Sequence, residues 1–322
     1  MRNCLSSLLL IGSVAFLGPA GLADDVADQG HDGSRIDSAG FNTEAFRCVI
    51  GNNAVWKKHN SGFNGIWSLI PKGSNDNFIA EGLAGLNLEH YFNGRDEDVS
   101  KPELLFDPRY SPMEFKQTSE YQCTLYQPPT KHFAVESWTE FTVSEPHYVD
   151  MSFRCIPRRE VFPFDWLGVF WATYAPRPED TSIYFLAYET AEQKEPEWFK
   201  SAGGMYYGRN AKVPLRFEGP MKNHMMSKAA PVRWAEPFYY GVWRGHAYIV
   251  MFDTQHDLAM YAGQSPLGWN PWDFQMIVHE PKVGSEYRLR TRMVFDQFKG
   301  RDWVLDEYKK WQSQKPQPAA GK

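Results

Sequence analysis

The sequence predicts a mainly β protein: a large antiparallel β-sandwich with a helix near its C-terminal end. Three observations predict it. Hydrophobicity repeats with a period of two along most of the chain, the pattern of strands with one face buried. Twenty-five glycines and twenty-two prolines punctuate those runs with turns. No strand–helix–strand alternation of the kind that builds parallel sheets is present.

The elements follow in order. Residues 24–40 (DDVADQGHDGSRIDSAG) are polar and aperiodic and read as a disordered leader, so the folded part is expected from 41 to 312 as one domain. In ESWTEF, Ser137, Thr139 and Phe141 alternate with Trp138 and Glu140. After Pro146, His147, Val149, Met151 and Phe153 alternate with Tyr148, Asp150, Ser152 and Arg154. Pro196 in the first turn of Glu195–Lys200 allows a short helix there. In HAYIVMFD, Tyr248, Val250 and Phe252 face away from Ile249, Met251 and Asp253. Arg288, Arg290 and Arg292 share one face of EYRLRTRMVF, and Tyr287, Leu289, Thr291 and Met293 the other. RDWVLDEYKKWQ is the clearest helix. Asp302 can cap it, and Val304, Tyr308 and Trp311 fall at i, i+4 and i+7, a stripe suited to packing on the outside of a sheet. Residues 313–322 read as a flexible tail.

Bulk properties narrow the function classes. The 322 residues carry a formal charge of −5 with both signs interspersed, which argues against nucleic acid as a partner, since phosphate neutralisation needs clustered Lys and Arg. Aromatic residues make up 16% of the chain, which suits either a β core or a surface that stacks on rings. Residues 1–23 have the layout of a cleavable signal peptide: Arg2, an apolar run from Leu8 to Leu17, and the small-x-small site Gly21-Leu22-Ala23. The expected location is therefore secreted or periplasmic. No later run is apolar enough to span a membrane. Cys48, Cys123 and Cys155 remain after the leader; a Cys123–Cys155 disulfide and buried free thiols are both open. The sequence does not set the oligomeric state.

No GxSxG, HExxH, P-loop or GxGxxG followed by a helix is present, so the common hydrolase, zinc-protease and nucleotide classes lose support. No cofactor is implied, and no metal site: H-x₆-D-x₂-H at His246, Asp253 and His256 matches no established ligand spacing. Chemistry then rests on four histidines as acid–base candidates, His147, His224, His90 and His279. His90 adjoins Glu89; in a regular strand the two point to opposite faces, and in a loop they converge. His147 follows Pro146, with Asp150 and Arg154 nearby on one strand face. Asn223-His224 sits in a Gly/Pro-bounded loop, where proton-transfer groups often lie. In SPLGWNPWDFQMIVHE, alternation puts Trp272, Phe274, Met276 and Val278 on a core face. Asp273, Gln275, Ile277 and His279 take the other, near Trp269 and Trp272. An acid, an amide and an imidazole beside flat apolar rings suit a neutral hydroxylated ligand. The substrate-binding candidates are Trp269, Trp272, Asp273, Gln275, Asn223, Glu89 and Arg154.

The segments HNSGFNGIWSLIP, AGLNLEHYFNG, FDPR, ESWTEFTVSEPHYVDMSFRC, FYYGVWRGHAYIVMF, SPLGWNPWDFQMIV and VGSEYRLRTRMVF, then a terminal helix, occur in an order that resembles secreted bacterial proteins of the galactose mutarotase-like, or super-sandwich, class. Uncharacterised members of polysaccharide-degrading bacteria such as planctomycetes are of this kind. The resemblance covers about Phe41 to Trp311. It implies a large twisted sandwich whose concave face holds a sugar, with lyase-, epimerase- or hydrolase-like chemistry. In the epimerases of that class an Asn-His motif and a later His and Glu transfer protons. Asn223-His224 and Glu89-His90-Tyr91-Phe92-Asn93 each echo part of that pattern. A non-catalytic glycan-binding protein and a structural envelope protein are the alternatives.

Overall fold

The computed structural model describes residues 37–55, 57–95, 101–201, 203–209, 215–219, 228–263 and 265–314. The leader, Asn223, His224 and most of the tail lie outside the described residues. Among those described, strands dominate, and every pairing between named strands is antiparallel. The sequence-predicted β-sandwich with one substantial C-terminal helix is therefore the observed fold class.

Three sheets build it. A small sheet joins β1 (Ser38–Asn42), β2 (Phe46–Gly51) and β3 (Gly65–Pro71). Strand β1 starts at Ser38, three residues before the expected start of the fold. It pairs with β2 and puts Phe41 in the core, and that pairing orders a stretch with no periodicity of its own. A six-stranded sheet runs β13 (Tyr206–Gly208), β17 (Asp257–Ala262), β18 (Trp269–His279), β9 (Trp166–Ala172), β4 (Asn87–Phe92), with β10 (Tyr174–Pro176) also on β18. The ten-stranded sheet begins with β12 (Glu197–Lys200), β11 (Tyr184–Tyr188), β15 (Phe238–Trp243), β16 (His246–Asp253) and β19 (Tyr287–Gln297). It continues through β8 (Tyr148–Pro157), β7 (Val135–Ser144), β6 (Gln122–Gln127) and β5 (Glu114–Ser119), while β14 (Arg233–Trp234) pairs with β11.

The main core lies between the six- and ten-stranded sheets. From the first come Leu88, Trp171, Met260, Trp272, Phe274 and Met276; from the second, Phe141, Met151, Phe153, Val250, Phe252 and Phe295. These are the inward residues that alternation predicts. Gly241 of β15 is required here: a Cβ at that position would lie 2.5 Å from the Trp272 ring. A strand glycine thus marks where the indole meets backbone.

Two further apolar layers lie outside the sandwich core. On the outer face of the ten-stranded sheet, α3 (Arg301–Ser313) buries Val304, Tyr308 and Trp311 against Tyr148, Phe238, Ile249 and Met251. The expected helical stripe is the observed one, although Gly300 and not Asp302 takes the N-cap. The other layer covers the far face of the six-stranded sheet and includes Phe63, Trp67, Trp166, Phe170, Tyr174, Tyr206, Tyr261 and Ile277. Both large sheets are thus buried on two faces over part of their area.

The segment expected as a short helix, Glu195–Lys200, instead supplies strand β12, because Glu197–Lys200 pairs with Tyr184–Ala187 and four residues give a helix too few internal bonds to persist. The three cysteines are free and buried, and burial pushes all three thiols well above their ordinary range. Cys123 and Cys155 sit on β6 and β8, which β7 separates, so no disulfide joins them.

Candidate functional site

The far face of the six-stranded sheet gathers the polar groups that the sandwich core excludes. Strand β4 brings two of them. Its register with β9 shifts between Leu88 and His90, leaving Glu89 as the extra residue of a bulge. A bulge re-aims side chains that strict alternation would separate. Glu89 and His90 therefore converge, with 3.9 Å between Glu89 Oε2 and His90 Nε2.

Two short helices, α1 (Pro102–Leu105) and α2 (Asp107–Tyr110), cover this end of β4. Arg109 of α2 donates from Nη1 to Glu89 Oε1 at 3.0 Å and from Nε to the Gly62 carbonyl at 2.8 Å. Its guanidinium lies 3.7 Å from the Phe63 ring centroid and 4.4 Å from that of Phe106. From the other side, the Tyr174 hydroxyl donates to Glu89 Oε1 at 2.5 Å. Glu89 and Arg109 are both buried, so the ion pair is largely screened from water.

His90 Nδ1 donates to the Leu105 carbonyl at 2.6 Å, and its ring stacks on Phe106. That bond leaves Nε2 as the lone-pair nitrogen. Burial, with the Arg109 charge adding to it, lowers the His90 pKa to about 3. At neutral pH it is an uncharged imidazole and a poor base.

Strand β18 supplies Asp273 and Gln275, both 1% exposed. Asp273 Oδ1 accepts from the Thr173 amide at 3.1 Å. Burial first, and the neighbouring Glu89 charge second, raise the Asp273 pKa well above the ordinary carboxyl value. Two carboxyl groups thus share one face in opposite environments: Glu89 bound by a guanidinium and a phenol, Asp273 desolvated with its pKa raised. Such a split assigns a base and an acid. Gln275 Nε2 is buried with no hydrogen-bond partner, beside Gly168, where a Cβ would lie 2.2 Å from that nitrogen.

Phenols surround the acid. Burial, the largest cause, raises the pKa of Tyr174, Tyr206 and Tyr261 above the ordinary phenol value, and neighbouring carboxyl groups add to it. Tyr206 and Tyr261 stack at 4.8 Å, and Trp269 meets the Tyr174 ring edge-on at 4.8 Å. These tyrosines and Arg109 escape the sequence reading. The one available signal was the FDPR segment beside the Glu-His step, and it carries no catalytic pattern by itself.

The structure brings Glu89, His90, Asp273, Gln275 and Trp269 to this one face and sends Trp272, His147, Arg154 and His279 elsewhere. Trp272 points the opposite way, fully buried between the sheets, with Nε1 donating to the Thr181 carbonyl at 2.9 Å. It is a core residue and cannot contact a ligand on the Asp273 face, because the side-chain period of a strand is two. His147 is buried at the foot of α3, where Nδ1 lies 3.0 Å from Asp296 and Nε2 3.5 Å from Glu307. It fastens the helix to the ten-stranded sheet. Arg154 is on the outer face of that sheet, pairing with Glu286 at 3.2 Å and lying 3.6 Å over Trp138. Asp150, its expected partner, is taken by Arg292 through two 2.7 Å bonds. His279 ends β18 in an exposed position and bonds Asp257 at 2.9 Å. It shares the Asp273 parity, but it lies six residues further along the strand, about 20 Å in extended geometry.

No known family model matches the chain, and no curated protein matches its sequence. Solved structures are similar in overall arrangement. A putative aldose 1-epimerase from Escherichia coli K12 has 10% identity and a TM-score of 0.43 over 81% of this chain and 99% of its own. The Slr1438 protein from Synechocystis sp. PCC 6803 has 10% identity and a TM-score of 0.48, covering 85% and 100%. A galactose mutarotase-like protein from Lactobacillus casei ATCC 334 has 10% identity and a TM-score of 0.46, covering 80% and 99%. These are similarities of overall arrangement at low identity.

Proposed function

We propose that this chain is an exported carbohydrate-active protein. In this reading it holds a sugar on the Glu89–Asp273 face and moves protons there with carboxyl and phenol groups rather than with histidine. One observation carries the reading: a desolvated Asp273, its pKa raised, shares a face with an Arg109-bound Glu89 under a wall of Tyr174, Tyr206, Tyr261 and Trp269. Hydroxylated rings are recognised by that combination of aromatic faces and fixed donors and acceptors. Asp273 can protonate a leaving or ring oxygen, and Glu89 can accept a proton once Arg109 or Tyr174 yields its bond. The layout of residues 1–23 supports export.

A binding role without turnover is the second reading. It is favoured by Glu89 Oε1, which already accepts two hydrogen bonds. Thermal melting against a panel of mono-, oligo- and polysaccharides, followed by product analysis on each hit, separates the two. New reducing or unsaturated ends, or a changed anomer ratio, lost in Asp273→Asn, support the enzyme. A melting shift without product supports the binding protein. A flat response across the panel removes both.

A further inference from the structure

A cavity lies on the opposite side of the molecule from the Glu89–Asp273 face, and the proposed chemistry does not use it. It is an open depression of about 490 Å³ on the outer face of the ten-stranded sheet, at the N-terminal end of α3. Two sheets and the main core separate it from Asp273, because its wall residues belong to the layer under α3. Its volume falls within the range of about 300–1,000 Å³ typical of small-molecule sites.

The walls are aromatic and aliphatic. Tyr184 of β11 and Tyr240 of β15 are cross-strand partners whose rings lie 5.2 Å apart and 19° from parallel. Phe298 continues the row, 5.5 Å and 20° from Tyr240, and Val242 completes the apolar surface. Tyr240 is buried in the middle of the row, while Tyr184, Val242 and Phe298 remain half-exposed to the cavity. The stack covers the facing sides of these rings, so what the cavity meets is ring edges and the half-exposed Phe298 and Val242, with Tyr184 and Tyr240 held in place by strand pairing at little entropic cost.

The rim is polar and balanced. Asp180 and Asp302 are acidic, Lys299 and Arg301 basic, so formal charge cancels across the opening. Arg301 Nε donates to the Tyr240 hydroxyl at 3.3 Å, and its guanidinium also lies over the Tyr184 and Trp198 rings at 5.6 and 5.3 Å. Partial burial works against the Asp180 anion, yet hydrogen bonds from Tyr184, Lys200 and Ser182 hold its pKa down at about 2. It is a fixed acceptor at any ordinary pH. A Cβ built on Gly300 would meet nothing within 4 Å, so the floor beside the helix start is open. Cancelled charge argues against phosphate or nucleotide, and the charged rim argues against a lipid chain. Apolar walls with donors and acceptors of both kinds around them fit a neutral pyranose ring.

We infer that the Tyr184–Tyr240–Phe298 cavity is a second, non-catalytic carbohydrate site that binds a neutral sugar unit of a polysaccharide strand. This rests on the carbohydrate reading of the Glu89–Asp273 face and extends it. Two sites on opposite layers let one chain engage a polymer at the outer cavity while short segments reach the inner face. Linked engagement of this kind raises the effective concentration of substrate at the second site.

The test uses the whole chain and affinity electrophoresis through gels that each hold one soluble neutral polysaccharide. Val242→Trp fills the cavity from a half-exposed position, and Tyr184→Ala removes one wall. Each is expected to weaken retardation by a polysaccharide that retards the wild type roughly ten-fold. Each is also expected to keep the wild-type melting shift with a short oligosaccharide, which reads the inner face. Asp273→Asn is expected to lose that shift and keep part of the retardation. Wild-type retardation in both cavity variants overturns the second site and leaves the inner-face reading standing. If no polysaccharide retards the wild type and no oligosaccharide shifts its melting, both readings fall together. Arg301→Gln serves as a third variant should Val242→Trp fail to fold.

Discussion

Tyr174 and Glu89, 85 residues apart, share a 2.5 Å hydrogen bond on the far face of the six-stranded sheet, and Arg109 donates to the same carboxylate oxygen at 3.0 Å. The three groups form one buried unit, and removing one member leaves another without its partner. Arg109→Met is expected to destabilise the fold by about 3–5 kcal/mol, the cost of an uncompensated buried charge. The double variant Arg109→Met/Glu89→Gln should recover part of that loss. Urea unfolding of the four proteins in the cycle measures it. Additive losses would mean that the pair is not coupled.

Asp273 makes stability fall as pH rises. Its pKa in the fold is raised above the ordinary value of 3.8, so between the two values the native state holds a proton that the unfolded chain has released. The contribution is fully present below pH 3.8 and is lost as pH climbs through the raised value. Asp273→Asn should flatten that decline. Unfolding free energies of both proteins across the acid-to-neutral range check it. Parallel curves would show that Asp273 titrates normally.

His90 acts in the other direction. Its pKa is lowered from 6.5 to about 3, so its contribution is present above pH 6.5 and is lost as pH falls toward 3. Proton NMR of the histidine ring resonances, assigned with His90→Gln, should show His90 unchanged from pH 8 to 5. A midpoint near 6 would return His90 to the list of candidate bases.

Gly241 is predicted to tolerate no side chain. A Cβ there would lie 2.5 Å from the Trp272 ring, and the indole is packed on all sides. Gly241→Ala should cost about 1–3 kcal/mol through overpacking. The melting temperature checks it; an unchanged value would mean that Trp272 can shift freely. Gly204, where a Cβ meets nothing within 4 Å, has a positive φ and so tests strain without crowding.

Much of the fold was legible because strand periodicity is a local property. The alternation in β18 separated Trp272, Phe274, Met276 and Val278 from Asp273 and Gln275, and the core confirms that partition. The i, i+4, i+7 stripe of α3 was equally local. The errors have a common origin. His147 looked reactive beside a proline, but Asp296, 149 positions away, holds its Nδ1, and Glu307, 160 positions away, lies 3.5 Å from its Nε2. Trp272, which alternation places on the core face, is also a ligand candidate in the sequence reading; strand β18 extends back to Trp269, so parity keeps it inward and away from any ligand on the Asp273 face.

The sequence by itself determined which residues share a face, where the chain turns and which helix covers a sheet, since neighbours within a few residues decide these. Tertiary structure alone decided what each face looks at. Period two cannot tell a strand face that meets water from one that meets a second aromatic layer, and the Asp273 face meets such a layer. Nor can it place a bulge at Glu89, which depends on the register that β4 adopts against β9. That bulge and the arrival of Arg109 from α2 create the electrostatic split between Glu89 and Asp273. The split is a property of distances between strands and helices rather than of any one stretch of sequence.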